Sequence, residues 1–249
     1  MITHLRRAGV PAATLALLLT GCADHTPTAP AQVRAATSPA TEVTQETTTE
    51  PSADPNVLPG LGPKTLAQVP DATRQALVVT GEDKDSARST VVLYERTADG
   101  WQAGTTWPAH NALKGWTDHH VLGDLRSPIG VYTLSDAGGR LPDPGSRLPY
   151  HRSDGFSLSG TGFEGEPLAG SFDYVVAIDY NREPGTSPQD WTRPLGAQRG
   201  GGIWLHVDHD GPTKGCVSLA KGHMRELLVT LDPDLHPVVV MGDADSLAR

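Results

Sequence analysis

The chain has 249 residues, a formal charge of −9 and a hydrophobic fraction of only 37%. No Lys/Arg cluster makes a basic face, which argues against nucleic acid as a partner. The 27 glycines, 21 prolines and 5% aromatic content point to a segment that does not fold, joined to a turn-rich domain.

The first seven residues carry Arg6 and Arg7, and an apolar run follows over residues 10–19, broken by Pro11 and Thr14. A bilayer-spanning helix needs about 20 apolar residues, so residues 1–21 read as a secretory signal. The run ends in Leu19-Thr20-Gly21-Cys22, which resembles the lipobox of bacterial lipoproteins. That resemblance implies that Cys22 is lipidated, becomes the mature N-terminus and anchors the chain to the outer face of the cell membrane. A simple cleaved signal with an incidental cysteine is the alternative. Residues 22–63 are rich in Thr, Pro, Ala, Ser and Glu, without apolar periodicity. Such a segment cannot offset its ordering entropy and reads as a disordered linker.

The pattern changes from residue 64, and a folded domain is expected over 64–243, with 244–249 as a tail. Residues 75–80 and 90–96 read as strands, and Ala98-Asp99-Gly100 as the turn into a third strand over 101–107. Further strands are expected at 130–134, 174–178, 202–207, 217–219 and 238–241. Met224, Leu227, Leu228 and Leu231 recur at helical spacing, with Pro233 as a stop. The fold class is therefore mainly β, two packed sheets or a distorted barrel with one or two short helices.

The most informative stretch runs from Gly200-Gly201-Gly202 through His206 to Thr213-Lys214-Gly215-Cys216. The glycines permit close backbone approach or an unusual turn. A short apolar strand delivers His206, and a loop through Gly211-Pro212 returns the chain to Cys216. Cys22 and Cys216 are the two cysteines, so lipidation of the first leaves the second without a disulfide partner. A free thiol near an imidazole is the arrangement that thiol catalysis needs, because the thiolate is the nucleophile and the histidine takes its proton. The N–H groups of Gly215 and Cys216 are candidate oxyanion donors.

His206 with Thr213-Lys214-Gly215-Cys216-Val217 resembles the active-site region of the L,D-transpeptidases, the YkuD-type catalytic domain. Ser127-Pro128-Ile129-Gly130 resembles that family's Thr-Pro-x-Gly strand. The segment 173–181, with Tyr180 and Asn181, resembles a Tyr-Asn segment of one branch. The resemblance spans roughly residues 75–242. It implies a YkuD-like fold and acyl transfer between peptidoglycan stem peptides in the cell wall, forming 3→3 cross-links without a cofactor or metal. By the same resemblance Cys216 is the nucleophile and His206 the general base and acid. Gly215, Lys214 and Thr213 are supporting residues, and Ser218, Asn181 and Tyr180 are substrate-binding candidates. A monomer is expected.

Three departures stand out. Lys214 occupies the place of the family's second histidine, Ser218 stands where Arg or Asn is common, and the His-to-Cys gap is short. Two other readings therefore stay open: an L,D-carboxypeptidase or cysteine peptidase on stem peptides, and a non-catalytic wall-binding lipoprotein. Plainer readings apply elsewhere. His206, Asp208, His209 and Asp210 lack a third spaced ligand cluster for a metal. His119-His120 are expected as a solvated surface pair. The five tryptophans, at 101, 107, 116, 191 and 204, are expected in the core or as cleft walls.

Overall fold

The computed structural model describes residues 54–249. The signal segment, Cys22 and most of the linker lie outside the described residues. The described part is a mainly β domain with a few short helices. In chain order it contains α1 (Pro63–Leu66), β1 (Gln75–Gly81), β2 (Arg88–Thr97) and β3 (Gly100–His110). The short strands β4 (Trp116–Thr117), β5 (Ser127–Pro128), β6 (Gly130–Thr133), β7 (Ala137–Gly139) and β8 (Tyr150–Arg152) follow. The chain closes with β9 (Val175–Ala177), β10 (Trp204–Val207), β11 (Val217–Leu219), α2 (Lys221–Thr230), β12 (Val238–Asp243) and α3 (Ala244–Leu247).

Ten strands form one sheet in the order β6-β12-β1-β2-β3-β11-β10-β9-β7-β8, and β4 pairs with β5 in a separate two-stranded sheet. The sheet curls around α2. Met224, Leu227 and Leu228 of that helix share one core with Leu77, Val91, Val176, Leu205 and Val239 from strands spread along the sheet. Strand β1 is buried on both faces, and the period-2 alternation of side chains explains how. Leu77 and Val79 enter the main core, while Ala76 and Val78 enter a second cluster on the other face.

That second cluster extends the domain beyond residues 64–243 at both ends. Leu58 and Leu61, assigned to the linker by composition, are 1% and 8% exposed within it. Residues 244–247 form a helix rather than a tail, with Leu247 buried against the same cluster. Two amides near the domain's start, those of Gly62 and Lys64, donate to the carbonyls of Leu247 and Arg249. Composition hid this because single leucines among polar residues carry no periodicity. Leu58→Ala is expected to cost about 2–5 kcal/mol in urea unfolding, as for a core residue. A cost within about 0.5 kcal/mol, typical of a solvated linker residue, would return Leu58 to the linker.

Candidate active site

The middle of the sheet brings the sequence motifs together. Strands β10 and β11 run parallel, with His206 opposite Ser218, and β11 runs antiparallel to β3, with Ser218 opposite His110. Residues in one register row point to the same face of a sheet, so His206, Ser218 and His110 share a face. Cys216 precedes Ser218 by two residues, at the entrance to β11. His206, Cys216, Thr213 and Lys214 all line a cavity of about 440 Å³. Its opposite wall is the stretch between β8 and β9, through Leu158, Phe163 and Phe172.

The three glycines before β10 have φ of 66°, 139° and 69°, values that L side chains rarely adopt. A Cβ on Gly201 would also lie 2.3 Å from Arg193 Nε. This turn presents backbone directly to the thiol. The Trp204 N–H donates to Cys216 Sγ at 3.4 Å, and the thiol donates to Gly202 O at 3.7 Å. No hydrogen bond joins Cys216 to His206 among the described residues. Burial pushes the Cys216 thiol up to about 11, only partly countered by the Trp204 N–H.

His206 is 3% exposed. Its Nδ1 bonds the carbonyl of Val207 at 2.9 Å, which requires the proton on Nδ1 and leaves Nε2 as an acceptor. Burial, with help from the neighbouring His209, lowers its pKa to about 4 against the Val207 hydrogen bond and Asp208. The resting pair is therefore a neutral thiol and a neutral imidazole. Phe172 meets the His206 ring edge-on at 5.4 Å, and His209 stacks on it at 5.7 Å with only 12° between planes.

The turn carrying Cys216 is fixed by hydroxyls. Thr213 Oγ1 donates to the Cys216 carbonyl at 2.7 Å and accepts from the Gly215 N–H at 3.2 Å. Ser127 Oγ donates to the same carbonyl at 3.4 Å, so the upstream Ser-Pro motif supports the turn that carries Cys216. The Gly215 N–H is thereby occupied, and the Cys216 N–H is left as the candidate oxyanion donor of the expected pair. Thr213→Val removes both Thr213 bonds at nearly constant volume. It is expected to destabilise the fold by about 1–3 kcal/mol, read as a lowered urea midpoint, with Thr213→Ser restoring it. An unchanged midpoint in the valine variant would show that the hydroxyl does not hold the turn.

The three substrate-binding candidates lie elsewhere. Ser218 is fully buried and donates to Asp208 Oδ1 at 2.8 Å. Asp208 also meets His110 Nδ1 at 3.0 Å. That hydrogen bond raises the His110 pKa, and burial of Asp208 is outweighed by its bonds to His110 and Ser218, so its pKa falls. Asn181 donates to the carbonyls of Gly196 and Gly200 and accepts from the Leu195 N–H. The Tyr180 hydroxyl donates to Arg199 O at 2.9 Å. Neither Asn181 nor Tyr180 lines the cavity. They anchor the loop that leads into the glycine turn, because buried polar groups need partners and that loop's carbonyls supply them. Lys214 is exposed at the cavity.

His120 is buried rather than solvated, 4% exposed, with Nδ1 3.0 Å from Asp124 Oδ1. Trp107 and Trp116 are core residues and Trp204 lines a cleft, but Trp191 is 81% exposed under the Arg193 guanidinium. No three His, Cys, Asp or Glu side chains converge as a metal site among the described residues. The residues that sequence reasoning missed are Phe172 and Glu166, whose carboxylate sits 3.3 Å from His209. The stretch that carries them has glycines at 160, 162, 165 and 170 and no apolar periodicity to mark either residue.

No family model matches the chain, and no curated protein matches it. Among solved structures, the chain is similar to one described as Bd1075 of Bdellovibrio bacteriovorus, at 18% identity and a TM-score of 0.37. The likeness covers 69% of this chain and 48% of that one, so it spans about half of that protein's length.

Proposed function

We propose that this protein is a cysteine acyltransferase of the L,D-transpeptidase kind, acting outside the cytoplasm on peptidoglycan stem peptides. The observation that carries the reading is the shared cavity. Two adjacent parallel strands deliver a thiol and an Nδ1-tethered imidazole to one space of about 440 Å³. Cys216 Sγ attacks a stem-peptide carbonyl carbon while its proton passes to His206 Nε2. The Cys216 N–H faces the developing oxyanion. His206 then returns the proton to the leaving amino group, and a terminal D-amino acid departs from the thioester. A side-chain amine of a second stem attacks the thioester, loses its proton to His206 and restores the thiol. Water in place of the amine gives the carboxypeptidase product.

Incubation with a stem tetrapeptide followed by mass spectrometry tests the reading. A cross-linked dimer supports transfer, and tripeptide alone supports hydrolysis. Unchanged peptide with no acyl adduct on Cys216 would leave the wall-binding alternative. Membrane anchoring through Cys22 belongs to the same proposal. Metabolic labelling with an alkyne fatty acid is expected to mark the wild type and to miss Cys22→Ala, and equal labelling would exclude the anchor at Cys22.

A further inference from the structure

The mechanism above leaves one carboxylate–imidazole contact unused. The side chains of Glu166 and His209 are 8% and 6% exposed, and Glu166 Oε1 lies 3.3 Å from His209 Nδ1. Isolated buried carboxylates are costly unless they are paired or hydrogen-bonded, so this pair needs an account. Glu166 belongs to a small hairpin in which Thr161 bridges Pro167 and the Gly162 N–H bonds Glu166 O. Its second carboxylate oxygen accepts the Glu164 N–H at 2.8 Å. The carboxylate is seated between two glycines on different segments. A Cβ on Gly162 would lie 1.8 Å from Oε1, and one on Gly211 would lie 2.4 Å from it. The seat therefore requires glycine on the hairpin and on the loop between β10 and Cys216.

His209, on that same loop, lines the cavity and lies flat against the His206 ring. His206 is thus held by the Val207 carbonyl at Nδ1, by the Phe172 edge and by the His209 face. The carbonyl alone leaves the ring free to tilt about the Nδ1 hydrogen bond. A parallel ring on one face limits that freedom, and the Glu166 carboxylate stands 3.3 Å from Nδ1 of that second ring.

We propose that Glu166 and His209 are a positioning pair for His206: Glu166 fixes His209, His209 sets the plane of the His206 ring, and the same contact ties the hairpin wall of the cavity to the loop carrying Cys216. The proposal rests on the reading of His206 as the base for Cys216. Neither residue of the pair exchanges a proton with substrate.

The test is the rate at which iodoacetamide alkylates Cys216 in the folded protein, followed by mass spectrometry. This readout needs no wall peptide. His209→Ala and the bulkier, non-planar His209→Leu are expected to slow alkylation about tenfold, as misplacement of a reacting group does. The double variant Glu166→Gln/His209→Phe keeps a flat, uncharged pair and is expected to recover the wild-type rate within about threefold. If His209→Ala fails to fold, His209→Leu decides the matter. Wild-type rates in the folded His209 variants, or a double variant as slow as His209→Leu, would overturn the pair. His206→Ala separates the two levels. A rate equal to wild type there would remove His206 as the base and defeat the reading above. A slow His206→Ala beside wild-type rates in the His209 variants would defeat the positioning pair alone.

Discussion

His206→Ala is expected to slow acylation of Cys216 at pH 7 by about 10²–10⁴-fold, the range of a positioned general base. The thiol stands near 11 and the imidazole near 4, both because the site is buried. At pH 7 only about one thiol in ten thousand is then ionised. A preformed thiolate–imidazolium pair is therefore not the resting state, and the proton must move as the carbon–sulfur bond forms. The Val207 carbonyl leaves His206 Nε2 as an acceptor for that proton. Cys216→Ala is expected to abolish the adduct altogether. Rapid-quench mass spectrometry of the acyl-enzyme distinguishes the two variants. An acylation rate in His206→Ala equal to that of wild type would sink the mechanism.

The second large effect is on acid stability. His206 has a folded-state pKa near 4 against an ordinary 6.5, so the unfolded chain binds the proton more tightly. Above pH 6.5 the residue is neutral in both states, and the fold keeps its full stability. Between 6.5 and about 4 stability declines with falling pH, because unfolding lets the imidazole charge. The gap, at about 1.4 kcal/mol per tenfold, corresponds to about 3 kcal/mol lost over that window. Urea midpoints for wild type are expected to fall through this range, and those of His206→Gln to fall by less. Acylation should follow a similar course, level at neutral pH and lost only near pH 4. The alkaline side runs the other way. The Cys216 pKa is raised, so its share of stability is present below its ordinary 9.0 and lost as pH rises towards about 11. A native-state His206 titration centred near 6.5 by NMR would contradict the acid limb.

The elements most legible in the sequence were those whose apolar pattern reports burial. Strand β2 alternates, α2 recurs at helical spacing, and β1 and β12 are short continuous apolar runs buried on both faces. Strand β7, Ala-Gly-Gly, carries no such signal, and its pairing with β8 and β9 is a purely tertiary result. Cys216 and His206 were legible because a thiol and an imidazole on short flanking strands have a chemical rationale by themselves. Ser218, Asn181 and Tyr180 were misplaced for a shared reason. Polar side chains beside a motif read as substrate contacts, but their hydrogen bonds turn inward to Asp208 and to loop carbonyls. His120 was hidden because its partner, Asp124, lies four residues away in an irregular loop where no pattern announces a pair. Phe172 and Glu166 fall in a stretch without periodicity, so only the folded chain shows them against the His206 ring and His209.

The pairing of Gly62 with Leu247 and of Lys64 with Arg249 brings residues 62–64 beside the last residues of the domain. Closing a short loop costs little entropy, since the penalty grows only slowly with length. A linker long enough to run from Arg249 to Pro55, whose carbonyl accepts the Trp101 N–H at the β2–β3 turn, would therefore give a ring. That ring could be reopened at the tip of the 161–167 hairpin, where Gly165 is exposed and has room around it. In such a circular permutant the cavity wall would carry new ends while both cores kept their order of contacts. That cut falls between β8 and β9, outside every strand of the sheet that presents Cys216 and His206.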